Sequence, residues 1–133
     1  MWEFRADLNV KACGSHVKQL YSGGIFMKKV KIEVIKLNYD DELAKQYAAA
    51  GFGQCPIHNL GDVYYTGFMK SDGICDEAWK AIYQYVFALS HGADGWYGDT
   101  WINRPGTVIC SCNDGLRPVI FKIERTDEDW VMQ

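Results

Sequence analysis

The chain has 133 residues, 48% of them hydrophobic and 14% aromatic, enough for one domain with a sizeable core. Its net charge of −3 removes the electrostatic case for binding nucleic acid or an anionic membrane surface. No apolar run is long enough to span a bilayer, and the first residues read unlike a secretory signal, so a cytoplasmic setting is expected.

Residues 1–26 show no sustained helical or strand period. Met27-Lys28-Lys29-Val30 then opens like a bacterial start and runs directly into a strand. Just upstream, the codons of Gly23 and Gly24 can read as a purine-rich ribosome-binding sequence, with Ile25-Phe26 as an AT-rich spacer. Two readings follow. Residues 1–26 are translated leader, in which case Cys13 and His16 carry no function, or they are an N-terminal extension outside the core. Residues 27–133 are expected to form a single α+β domain.

Residues 28–37 alternate, with Val30, Ile32 and Val34 inward and Lys31 and Glu33 outward. The parity slips at Val34-Ile35, which predicts a bulge or a strand covered on both faces. Asn38 or Asp40 can cap a helix from Asp41 to about Ala50, with Leu43, Ala44, Tyr47 and Ala48 as its stripe. A tight loop, Gly53 to Asp62, holds Cys55-Pro56 and His58 and feeds a short strand from Val63 to Thr66.

The main helix follows. Trp79, Ile82, Tyr83, Val86 and Leu89 mark one face of a 3.6-residue period. Ala78, Ala81, Tyr85 and Ala88 widen that face, so the helix is expected to be covered on most sides. Gly92 is its predicted stop, and Asp76 and Glu77 suit its positive end. Cys75 falls at the N-cap, where backbone N–H groups favour a thiolate while Asp76 and Glu77 oppose it.

Residues 92–106 read as a long glycine-rich loop. Its Trp96, Tyr97 and Trp101 either meet a partner or, the preferred reading, cover the sheet edge. Residues 107–112 are a predicted strand, Asp114-Gly115 carries a hairpin-turn signal, and residues 117–125 return as the second strand. Pro118 fits a strand end. The acidic tail from Thr126 is expected to fray, with Trp130 as a residue that can dock. The order is βαβαββ, which predicts a two-layer sandwich: a small mixed or antiparallel sheet with two helices on one face.

Four pieces of the sequence form a combined pattern: Gly53-x-Cys55-Pro56, Gly61-Asp62, Cys75-x-x-Ala78-Trp79 and Cys112-x-Asp114-Gly115-x-Arg117-Pro118-Val119-x-Phe121. In them the chain resembles an uncharacterised family of short bacterial and archaeal conserved hypothetical proteins, over nearly all of residues 27–125. That family often has proline directly after the cysteine matching Cys75, where this chain has Asp76. Proline favours the first helical position, so the resemblance implies that Cys75 is the N-cap. Family members commonly begin near Met27. Cys110 and His58 lie outside the shared pattern, and the resemblance brings no activity with it.

Five cysteines is an odd number, and their spacing is not that of a compact disulfide framework, so reduced thiols, a metal site or a reactive cysteine are expected. Cys55, Cys75 and Cys112 each sit beside a turn or helix mouth. With Cys110 and His58 as weaker candidates, they suffice chemically for zinc or an iron–sulfur cluster, though Cys-x-Cys is not the usual zinc pair. A thiol-redox or sulfur-carrying role would make Cys75 the reactive thiol and Cys55 or Cys112 its resolving partner. Small sulfur carriers share the element order, but their Cys-Pro opens the first helix, whereas Cys55-Pro56 follows it.

The leading reading is a non-catalytic binding or interaction module with core cysteines. Asp114, Arg117 and Trp79 are its candidate binding residues, toward a protein or small-molecule partner. An enzyme is not favoured, because no catalytic motif or phosphate-binding loop is present. An edge strand and exposed aromatics would allow a homodimer.

Overall fold

The computed structural model describes residues 27–131. Strand β1 (Met27–Leu37) is followed by helix α1 (Asp41–Tyr47), strand β2 (Val63–Thr66), helix α2 (Asp76–Ser90), and strands β3 (Thr107–Ser111) and β4 (Val119–Trp130). The four strands form one antiparallel sheet in the order β2-β1-β4-β3. With α2 laid on one face, this is the expected α+β two-layer arrangement. No helix among the described residues is long and apolar enough to cross a membrane.

The strand alternation explains the layers. Val30, Ile32 and Val34 of β1, Val119, Phe121 and Ile123 of β4, and Val108 of β3 are fully or almost fully buried. They form one cluster with Ile74, Ala78, Ile82, Val86 and Leu89. The opposite parity carries charge. Glu33 faces Lys122 and Lys31 faces Glu124 across the β1–β4 pair. Lys122 bridges Glu33 at 3.3 Å and Glu124 at 3.6 Å, and Lys31 reaches Glu33 at 3.3 Å. Opposite charges directly across an antiparallel pair favour this register over a one-residue slip. The parity slip at Val34-Ile35 is a register shift between Val34 and Lys36, which leaves Ile35 outward.

Helix α2 starts and stops as the sequence predicts. Cys75 is its N-cap, in an extended conformation with no side-chain cap bond. At the other end Gly92 takes a left-handed φ of 101°, Gly92 N–H donates to Leu89 O, and Ala93 N–H donates to Ala88 O. That is a Schellman stop, which glycine permits without a Cβ clash. Its coverage differs from expectation. Tyr83 and Phe87 are exposed and run in an aromatic row with Trp79 and His91, at i, i+4 spacing.

Three further expectations are corrected. Helix α1 has seven residues, because Ala48 is already extended; Asp40 caps it by accepting Leu43 N–H at 2.9 Å, and of its stripe only Ala44 is buried. The acidic tail does not fray. Lys28 donates to Asp129 at 2.6 Å, Lys29 pairs with Glu128, and β4 continues to Trp130 against the start of β1. Trp130 docks on Gly67, where a Cβ would overlap its Cδ1, so only glycine admits the ring. Finally, Trp96 covers the β3 edge, donating to Thr107 O at 2.8 Å and meeting Tyr85 edge-on, whereas Tyr97 and Trp101 stay exposed.

Candidate functional site

Three segments far apart in the chain meet at the mouth of α2. The loop after α1, the helix start and the β3–β4 connection enclose a pocket of about 310 Å³. Cys55, Cys75 and Cys112 all line it. Pro56, Ile57, Ala78 and Val119 supply apolar wall, and His58, Glu77, Asn113, Asp114 and Arg117 supply polar groups. The three pocket cysteines and Cys110 are free thiols, each half-buried.

Cys75 is placed by His58. The imidazole is 2% exposed and packs edge-on against Phe121, with ring centroids 5.4 Å apart, and against Tyr64 at 6.0 Å. Its Nε2 accepts the Cys75 backbone N–H at 3.3 Å. That acceptor role puts the proton on Nδ1, which donates to the Tyr64 hydroxyl at 3.2 Å. The hydroxyl in turn lies 3.5 Å from Asp62 Oδ2, which also accepts Asn59 N–H at 2.8 Å. Burial pushes the His58 pKa down, against the opposing pull of Asp62. Burial, with Asp62, pushes Tyr64 up. The network therefore holds His58 neutral. As a buried side chain with both nitrogens engaged, His58 has no lone pair left for a metal ion.

Cys112 sits one residue past β3. Its Sγ accepts Val119 N–H at 3.3 Å, while its own N–H donates to Val119 O at 3.1 Å. The connection to β4 runs through Asp114 and is longer than a two-residue hairpin turn. Asp114 Oδ1 accepts Leu116 N–H at 2.9 Å and Arg117 N–H at 3.3 Å, which folds the connection back through a side chain. Burial works against the Asp114 carboxylate, but hydrogen bonds from Leu116 and Arg117 outweigh it and hold its pKa below the ordinary value.

The loop that carries Cys55 is held by Arg117. Arg117 Nε donates to Asp114 Oδ2 at 3.0 Å and Nη1 to Gly53 O at 3.1 Å, and the guanidinium lies 4.1 Å from the Phe52 ring centroid. One side chain thus fastens the Cys55 loop to the Cys112 connection, using the planar fork and stacking that lysine lacks. A second link joins Cys112 to α2: Asn113 Nδ2 donates to Glu77 Oε2 at 3.4 Å. Lys80, then Asn113, hold the Glu77 carboxyl below its ordinary range. The acidic first turn is partly neutralised, since Lys70 pairs with Asp76 and Lys80 with Glu77.

The structure thus brings Cys55, Cys75, Cys112, Asp114, Arg117 and His58 to one place. Cys110 and Trp79 are not among the residues lining the pocket. Cys110 packs against the core, and burial pushes its thiol up to about 12. Trp79 lies one turn into α2, on the aromatic row. Among the described residues no group of three or more His, Cys, Asp or Glu could hold a metal ion, so the zinc or iron–sulfur option finds no ligand set there. Cys13 and His16 lie outside the described residues, as does the question of residues 1–26. Sequence reading missed Phe52, Gly53, Tyr64 and Glu77 as site residues; of these only Gly53 stood in a motif, and there it read as the start of a tight loop. No family model, no curated protein and no solved structure matches the chain.

Proposed function

We propose that the chain is a small-molecule-binding module whose pocket engages a thiol-reactive ligand through Cys55, Cys75 and Cys112. The observation that carries this reading is the shared lining. All four described cysteines pack against the core cluster, but those from three separate segments also line one pocket, while Cys110, two residues from Cys112, does not. Cysteines acting only as small apolar fillers would resemble Cys110 in all four cases. The pocket mixes apolar wall with a few polar groups, as small-ligand sites do, and its volume lies near the lower end of their range. The binding module expected from the sequence and the thiol reading converge here: the cysteines are part of the binding surface.

Native-state alkylation tests it. With iodoacetamide in short pulses, mass mapping is expected to find Cys55, Cys75 and Cys112 modified well before Cys110. Phenylarsine oxide, a compact arsenical that bridges neighbouring thiols, is expected to protect pocket thiols together. Labelling of Cys110 at the same rate as the other three, or protection of none, would overturn the reading.

A further inference from the structure

We infer that the outer face of the sheet, turned away from α2, is the interface of a two-fold dimer with a second copy of this chain. This face holds none of the residues that line the pocket.

Strand parity lays the face out in two rows. Across β2, β1, β4 and β3 the pairings give Tyr65-Lys31-Glu124-Thr107 and, beside it, Val63-Glu33-Lys122-Ile109. The centre is therefore a checkerboard of lysines and glutamates whose charges sum to zero. Its flanks are apolar. On the β2 side Val63 is 40% and Tyr65 50% exposed, and Ile35 stands outward at the bulge. On the β3 side Trp101, Ile102, Thr107, Ile109 and Lys122 line a recess of about 350 Å³.

This pattern matches itself. A two-fold axis along the strands, between β1 and β4, turns each row end for end over its own copy. Lys31 then lies over Glu124 of the second copy and Glu33 over Lys122, and each contact occurs twice. Val63 lies over Ile109, and Tyr65 over the recess beside Thr107. Each copy thus supplies one projecting ring and one recess, which is how a two-fold contact closes on itself. Stacked sheets ordinarily keep their strands nearly aligned, about 10 Å apart, as this axis requires. A slip by one row places Lys31 over Lys122 and Glu33 over Glu124, so like charges reject it. A partner without matching charges would desolvate these four side chains with no compensating attraction.

Sedimentation equilibrium of the full-length reduced chain tests this at about 50 μM, above the micromolar dissociation constants of the weaker standard-size interfaces. The parent chain is expected to sediment as a dimer. Tyr65→Ala and Trp101→Ala are each expected to weaken association about tenfold or more. Phe87→Ala, on the exposed side of α2, should leave it unchanged. A further variant inverts the checkerboard through Lys31→Glu, Glu33→Lys, Lys122→Glu and Glu124→Lys. Arg104→Glu joins them, because Arg104 pairs with Glu124, so opposite charges remain at each pair within the chain. The inverted variant should dimerise with itself. In a mixture with isotope-labelled parent, native mass spectrometry should find hybrid dimers about tenfold or more below random mixing. Thermal unfolding shows whether the inverted variant folds; if it does not, the Tyr65, Trp101 and Phe87 variants decide. A monomeric parent, its outer face bare or occupied by residues 1–26, would overturn the inference. So would hybrids at the random proportion, or association weakened by Phe87→Ala and untouched by Tyr65→Ala.

Discussion

The middle of the α2–sheet interface and its pocket end are built by opposite means. In the middle, Ile82, Val86, Leu89, Val108, Phe121 and Ile123 are fully buried in one apolar cluster. At the pocket end, position is set by single directed contacts: His58 on the Cys75 amide, Asn113 on Glu77, and Arg117 on Gly53, Asp114 and Phe52. The contrast separates stability from placement. Apolar burial contributes roughly 25 cal/mol per Å² without regard to direction. A partly exposed polar contact contributes little to folding but fixes where a side chain stands. Cys110 and Cys112, two residues apart, both pack against the core cluster, and of the two only Cys112 also lines the pocket.

The largest expected effect comes from breaking the middle. Phe121→Ala should cost about 3–5 kcal/mol in urea unfolding. It should also loosen the pocket, because Phe121 walls His58. An unfolding midpoint close to the parent's would mean that the divide is drawn in the wrong place.

Next is Gly67→Ala, at the end of the sheet away from the pocket. The new Cβ would meet the Trp130 ring, and a loss of about 1–3 kcal/mol is expected. Native alkylation of the pocket thiols should not change. Faster pocket labelling in this variant would show that the two ends are coupled.

Arg117→Lys should move unfolding by only about 1 kcal/mol, since its ion pair with Asp114 is partly exposed. Its larger signature should be kinetic: Cys55 alkylates faster once the loop loses its guanidinium fork. Unchanged Cys55 labelling would remove Arg117 from its placing role.

The smallest effect is a pH slope. The His58 pKa is depressed in the folded state, so below its ordinary value of 6.5 the unfolded chain binds a proton that the native state does not. Stability should therefore be full above that value and fall as pH drops through it toward the folded value. His58→Gln, which keeps an acceptor but cannot titrate there, should flatten the slope. Asp114, also depressed, contributes stability that is lost only in the acid range below its ordinary 3.8, so the two steps are separable.

Much of the fold was legible because periodicity reports burial directly. Trp79 to Leu89 marked α2, Gly92 its stop, and the slip at Val34-Ile35 its bulge. The three thiols were legible as neighbours of turns, and the Cys75 N-cap followed from the acidic first turn after it. What the sequence hid depends on partners distant along the chain. The acidic tail looked frayed until Lys28 and Lys29 paired with it. His58 looked like a loop residue until Phe121 and Tyr64 enclosed it. The length of α1 was overread, because Leu43 and Tyr47 have the spacing of a buried stripe but are exposed among the described residues.

The Arg117 bond to Gly53 closes a separation of 64 residues, and the β1–β4 pair beneath it spans still more chain. Closure over such distances must be met by chain entropy before any contact rewards it. The pocket is thus expected to assemble late on the folding path, after the strands have met, and to be sheltered last. A thiol probe pulsed through refolding would show Cys110 protected before Cys55, and the reverse order would place the pocket in the folding nucleus.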